Sequence, residues 1–285
     1  MSRLSLILCA SLLLVAACSS DDEPSLGKRP RLLGATIEDI AGPSRTTLSD
    51  DGVSVYWDAN DSLSVFLGGN IMNCAIVYGL PDGRNAKFMV EGSFIIGGTV
   101  DDEGTEYTNV ALYPYYEDAA LVAPDTVATL FPAWQKAVPN SIPDGSPMVA
   151  AVGNVTTTSF AFKNVCSFIR FALTAPSDTK ITRIVLSSPY KIVSGNMRIK
   201  VGANIPPVVL MDEVGEHSVT LDCGATSIGS EPLYLFMALP PVAFGKDEWS
   251  VQLFDDAGSS MTLTPPAFTF ERNHFYTMNV GYVPN

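Results

Sequence analysis

Histidine is almost missing from this chain, with two in 285 residues, His217 and His274. They lie far apart beside strand-like runs, and no H-x-x-x-H or C-x-x-C spacing accompanies them, so the usual zinc and imidazole-base constellations lack a foundation. Basic residues are also scarce: 17 Lys and Arg stand against 30 Asp and Glu, for a formal charge of −13. Loss of residues 1–17, whose one charge is Arg3, would make it −14. That balance disfavours nucleic acid and anionic membrane surfaces as partners. Five cysteines are too few and too scattered for a disulfide framework. No stretch longer than about ten residues keeps an i, i+3, i+4, i+7 apolar stripe, so long helices are not expected. Gly68-Gly69 and Gly97-Gly98 fall outside any G-x-G-x-x-G or P-loop pattern, which leaves no phosphate cradle. Nor is there a nucleophile paired with a base. An enzyme, a metal and a cofactor are therefore not expected.

What the chain does have begins at its N-terminus. Arg3 is followed by an apolar stretch from Leu4 to Ala17, too short to span a bilayer. Ala16-Ala17-Cys18 then places two small residues before a cysteine. That order reads as a bacterial lipobox, with residues 1–17 as signal peptide and Cys18 acylated. Ser19-Ser20-Asp21-Asp22-Glu23 follows at once and resembles the surface-export signal of Bacteroidetes lipoproteins. With Cys9 lost and Cys18 acylated, Cys74, Cys166 and Cys223 remain. An oxidising compartment would allow one pair among them, but the last two sit in apolar, strand-like surroundings, and buried free thiols are expected.

Beyond a polar tether the dominant signal is period-two alternation. Val53, Val55 and Trp57 share one face, the turn Asp58-Ala59-Asn60-Asp61 follows, and Leu63, Val65 and Leu67 alternate again, which predicts a hairpin. Similar runs occur at 74–78, 107–113, 148–152, 159–165, 167–173, 180–186, 197–201, 217–221, 233–239, 249–254, 261–263 and 275–283. Short helices are expected only at 117–123 and 130–138. Short strands separated by many of the 20 Pro and 22 Gly residues predict an all-β chain of antiparallel sandwiches. After a tether, about 240 residues are too many for one such unit, so two in tandem are expected. The expected division is a tether and first strand at 18–45, an N-terminal sandwich at 46–155 and a C-terminal sandwich at 156–285.

Two acidic clusters, 58–61 and 101–104, lack the alternating register and terminal Glu of a calcium loop and read as solvated turns. Tyr113-Pro114-Tyr115-Tyr116 could stack on sugar rings, but also suits the end of an edge strand.

Several segments, in order, resemble the fimbrillin family of Bacteroidetes, the lipoprotein-derived subunits of type V fimbriae. They are the lipobox; Trp57-Asp58-Ala59-Asn60-Asp61-Ser62-Leu63; Ala111-Leu112-Tyr113-Pro114-Tyr115 with Leu130-Phe131-Pro132-Ala133-Trp134-Gln135; and Lys180-Ile181-Thr182-Arg183-Ile184. The most specific is Phe160-Ala161-Phe162-Lys163-Asn164-Val165-Cys166-Ser167-Phe168-Ile169-Arg170-Phe171. The resemblance implies two transthyretin-like Greek-key β-sandwiches and a non-enzymatic structural role. It also implies export to the outer membrane as a lipoprotein and removal of a first strand by an arginine-specific protease, with the groove refilled by a neighbouring subunit. Leu33, Ala35 and Ile37 would share one face of that strand, and Arg45 is the candidate cleavage site. Arg31 is the alternative, although a cut there leaves the strand attached, and Arg29 is followed by Pro30. The last run puts Tyr276, Met278, Val280 and Tyr282 on one face. It either closes the second sandwich or serves as the donor strand.

The implied partners are other fimbrial subunits, the outer membrane through Cys18, and a host or bacterial surface ligand. Alternatives are a permanently lipidated fimbrial anchor or assembly protein, and a surface glycan-binding lipoprotein using Trp57, Trp134, Trp249 or Tyr113–Tyr116.

Overall fold

A computed structural model describes residues 31–39, 56–90, 103–104, 106–143, 146–152, 158–202 and 205–284. Cys18, Arg45, the run 53–55 and Asp101-Asp102 lie outside these residues. The described elements are all strands, in agreement with the all-β expectation. In order, β1 (Leu32–Ile37), β2 (Ser62–Phe66), β3 (Met72–Val77), β4 (Asn85–Val90) and β5 (Asn109–Tyr113) come first. Three short strands, β6 (Ala120–Ala123), β7 (Thr126–Phe131) and β8 (Trp134–Lys136), precede β9 (Met148–Val152) and β10 (Ser159–Asn164). Then come β11 (Ser167–Thr174), β12 (Thr179–Ser187), β13 (Ser194–Lys200), β14 (Val208–Glu216), β15 (Ser218–Ile228) and β16 (Leu233–Leu239). The chain ends with β17 (Val242–Phe244), β18 (Ser250–Asp255), β19 (Ser260–Leu263), β20 (Phe268–Phe270) and β21 (Phe275–Gly281).

Seven strands close a barrel in the order β1-β10-β9-β5-β2-β3-β4. Alternation decides its interior, because side chains two apart share a face. Leu33, Ala35 and Ile37 of β1, Leu63 and Val65 of β2, Phe88 and Val90 of β4, and Phe160 and Phe162 of β10 all point inward. Trp57 joins them, edge-on to Phe88, Tyr113 and Phe162 at centroid separations of 5.0, 5.5 and 5.1 Å. The outer faces of β2, β5 and β9 are covered as well: Phe66, Val110, Leu112 and Val149 belong to a second core. Burial on both faces explains why β5 and β9 read as nearly continuous apolar runs.

The second core lies among four sheets, ordered β16-β11-β21, β19-β18-β12-β15-β8, β14-β13-β7-β6 and β17-β20. Pairing crosses residue 155 in both directions. β10, beyond it, completes the barrel, while β7 pairs with β13 and β8 with β15. The closed barrel and the sheets that cross residue 155 make the chain all-β.

Two local expectations fail. The helices expected at 117–123 and 130–138 are instead β6, the end of β7 and β8. Val127, Thr129 and Phe131 alternate inward along β7, and the ladder to β13 outweighs the modest helix preference of Ala and Leu. Gln135 adds a tertiary clamp: its Nε2 donates to the Ala238 carbonyl at 2.9 Å and its Oε1 accepts from the Ala238 N–H at 2.8 Å. β3 and β5 pair with the two edges of β2, and the hairpin expected across 58–61 involves the run 53–55, which lies outside the described residues.

Candidate functional site: the first strand and its latch

β1 is the keystone of the barrel. Its pairing with β4 is antiparallel, from Leu32↔Met89 to Thr36↔Asn85, and with β10 it is parallel, from Gly34↔Ser159 to Ile37↔Phe162. Leu33, Ala35 and Ile37 are buried among the barrel side chains. Taking β1 away would leave two unpaired strand edges facing each other across an apolar slot. Such a slot invites an extended replacement strand.

The C-terminal end of β1 is tied to the opposite end of the chain. Glu38 Oε1 accepts from the Asn164 backbone N–H at 2.6 Å, and the same carboxylate pairs with the Arg272 guanidinium. Arg272 also donates to the Asn164 carbonyl. Asn273 continues the network: its Nδ2 donates to the Asp39 carbonyl at 2.8 Å and its Oδ1 accepts from Asn164 Nδ2 at 3.0 Å. Its backbone N–H donates to the Cys166 carbonyl at 2.6 Å. Asp39 in addition pairs with Arg84. The side chains of Glu38 and Arg272 are only 24% and 20% exposed, so these charge-assisted bonds form largely away from water. Glu38 thus latches β1 to the loop that leads straight into β21.

The Phe160–Phe171 motif gains a physical meaning here. Phe160 and Phe162 fill the barrel, Asn164 holds the latch, and Phe168, Ile169 and Phe171 enter the second core. Glu38, Arg272 and Asn273 escaped sequence reasoning. A separation of 234 residues between Glu38 and Arg272 leaves no local pattern to find.

β21 is docked on its own chain. It pairs in parallel with β11, from Phe168↔Phe275 to Thr174↔Gly281. Tyr276 and Met278 are half-buried against the second core, and Val280 and Tyr282 are inside it. Tyr282 donates to Asp255 Oδ2 at 2.9 Å, and burial first, then this bond, pushes its pKa up to about 12. Arg31 is half-buried, which lowers its guanidinium pKa, and its carbonyl accepts from the Val90 N–H at 3.1 Å. The backbone at this alternative cleavage position is therefore held in the barrel.

The remaining candidates scatter. Trp57 and Trp249 are core residues, which removes them as sugar platforms, whereas Trp134 is 62% exposed on β8. Tyr113, Tyr115 and Tyr116 are half-buried, with the Tyr113 hydroxyl donating to Asp61 at 3.0 Å. Around 58–61 the Asp58 and Asp61 carboxylates accept hydrogen bonds from Asn60 and from the Asp58 N–H, closing the turn on itself. His217 Nδ1 lies 2.9 Å from the Lys191 carbonyl and His274 Nδ1 2.8 Å from that of Arg272. Among the described residues Cys74, Cys166 and Cys223 form no disulfide, and Cys166 and Cys223 are buried. Burial raises both thiol pKa values, that of Cys223 to about 12. Among the described residues no three His, Cys, Asp or Glu side chains converge as a metal set.

Solved structures share this architecture. A candidate cell adhesion protein of Bacteroides ovatus aligns over 89% of this chain and 92% of its own, at 14% identity and a TM-score of 0.54. A second, from Bacteroides uniformis, aligns over 88% and 93%, at 14% identity and a TM-score of 0.51. The chain has their fold. That agrees with the fimbrillin resemblance read from the sequence. The tip fimbrial protein of Porphyromonas gingivalis aligns over 89% of this chain and 96% of its own, at 9% identity and a TM-score of 0.29. No protein-family model matches the chain, and no curated protein does.

Proposed function

We propose that the chain is a non-enzymatic, adhesive subunit of a cell-surface fimbria, exported as a lipoprotein through Cys18 and assembled by exchange of β1. In this reading the chain is built of two tandem transthyretin-like Greek-key β-sandwich domains. Its partners are other fimbrial subunits, the outer membrane, and a surface ligand. The observation that carries the reading is the seat of β1, paired on both edges and buried on its inner face by Leu33, Ala35 and Ile37. A refilled Leu or Ile contributes roughly 1.5–3 kcal/mol and an Ala methyl about 0.8 kcal/mol. Three such side chains, with two ladders of hydrogen bonds, would hold a neighbour's strand tightly.

A cut after Arg45 separates β1 from the rest of the chain, whereas a cut after Arg31 does not. A second reading, the permanently lipidated anchor or assembly protein, is favoured by the docking of β21. To donate Tyr276, Met278, Val280 and Tyr282 to a neighbour, the chain must surrender the ladder to β11 and the buried Tyr282–Asp255 bond.

The test is Arg45→Ala in native cells, with N-terminal sequencing of membrane and fimbrial fractions. The fimbrial form of the wild type should begin at Thr46, and the variant should remain monomeric and lipidated with β1 in place. Entry of the variant into fimbriae at the normal level, with residues 19–45 intact, refutes exchange and leaves the anchor reading.

A further inference from the structure

An open groove of about 510 Å³ lies on the outer face of the barrel, over β1. Gly34 and Thr36 of β1, Asn85 and Lys87 of β4, and Ser159 of β10 line it, and the segment Tyr78–Asp82 between β3 and β4 walls one side. Strand register explains the depression. Gly34 stands between Ser159 and Lys87 in one cross-strand row, and its missing side chain leaves a dip between two polar neighbours. No unusual backbone conformation requires glycine there. A Cβ would meet the Thr158 carbonyl oxygen at 3.5 Å, ordinary contact.

The lining is chemically mixed and uncommitted. Among the described residues the side chains of Tyr78, Asp82, Asn85 and Lys87 have no hydrogen-bond or ion-pair partner. Tyr78 is 52% exposed, and Tyr56, 62% exposed, lies with its ring against Gly83 at the far end of the same turn. Exposed tyrosine offers an apolar ring face with a polar tip. Asp82 and Asn85 supply acceptors and donors suited to neighbouring hydroxyls. One carboxylate and one ammonium leave the lining without net charge, which disfavours a simple anion or cation. The floor excludes strand addition too, because β1 and β4 each have partners on both edges and expose no free backbone ladder.

We propose that this groove is a binding site for a neutral saccharide, with Tyr78 as the stacking platform and Asp82 and Asn85 as the hydroxyl-binding pair. The volume lies within the roughly 300–1,000 Å³ common for small-ligand sites. Gly34 and Thr36 belong to β1, so the site exists where β1 is seated, and bound sugar favours that state by mass action. The proposal does not rest on strand exchange, and its failure leaves that reading untouched.

Saturation-transfer NMR on the detergent-solubilised full chain tests it, with galactose, mannose, fucose, N-acetylglucosamine and N-acetylgalactosamine as probes and sialic acid as the charged control. At least one neutral sugar should bind with Kd on the order of 1 mM. Tyr78→Ala and Asp82→Ala should each weaken binding about tenfold or more, the scale of one lost polar or stacking contact. Gly34→Leu should abolish it by filling the dip, and Tyr190→Ala, at an exposed tyrosine elsewhere, should leave it unchanged. Thermal melts check that each variant folds; Tyr78 and Asp82 are exposed, so these two decide the matter even if Gly34→Leu does not fold. Absence of binding by every neutral sugar overturns the assignment. So does binding that survives Tyr78→Ala, or binding of sialic acid alone with loss in Lys87→Ala.

Discussion

Replacing Glu38 with alanine tests whether the two ends of the chain are mechanically joined. The carboxylate takes a hydrogen bond from the buried Asn164 N–H and pairs with Arg272. Its loss leaves both donors without that acceptor. Removing one member of a fully buried pair costs about 3–5 kcal/mol. With 24% and 20% of the two side chains exposed, water recovers part of that cost, so a destabilisation of roughly 2–3 kcal/mol is expected. For a chain of this size that corresponds to a fall in Tm of about 4–12 °C. Arg272→Ala should cost a similar amount, and the double variant distinctly less than the sum, with a coupling above about 1 kcal/mol. Hydrogen exchange gives the spatial readout. In Glu38→Ala, amides of β1 and of Phe275–Gly281 should both lose protection, although 234 residues separate Glu38 from Arg272. Additive single and double variants, or deprotection confined to β1, would refute the latch.

Two further outcomes follow from burial. Leu33→Ala should destabilise by about 2–5 kcal/mol, since Leu33 is inside the barrel, while Leu32→Ala, on the exposed face, should stay within about 0.5 kcal/mol; equal effects in urea titrations would contradict the assigned face of β1. Tyr282 has its pKa raised from 10.0 to about 12, so the folded state holds this proton more tightly than the unfolded one. Its stabilisation is complete below pH 10 and is lost as pH rises through about 12, a change of roughly 2–3 kcal/mol. Tyr282→Phe should remove that part of the alkaline decline, measured as the difference between the two stability–pH curves; superimposable slopes between pH 10 and 12 would show that Tyr282 is not the group responsible.

The all-β class was legible because period two is a local property: the alternation of Leu33, Ala35 and Ile37, or of Leu63 and Val65, survives in any context that buries one face. β4 escaped notice despite its inward Ala86, Phe88 and Val90, and β14 is interrupted by Asp212 and Glu213. Helix was expected where Ala and Leu dominate, yet the ladder to β13 and the clamp of Gln135 on Ala238 made strands. Those forces come from residues far along the chain, outside any local window. The same distance hid the latch. Glu38, Asn164 and Arg272 are individually unremarkable polar residues, and only closure of the barrel beside the β21 loop brings them within hydrogen-bonding range. The groove over Gly34 likewise depends on which strands lie beside β1. The sequence by itself determined which side of each strand faces away from water, because that depends on neighbours two residues apart. Which strands meet was decided by tertiary structure alone, because strand order emerges only when the whole chain competes for the same buried edges.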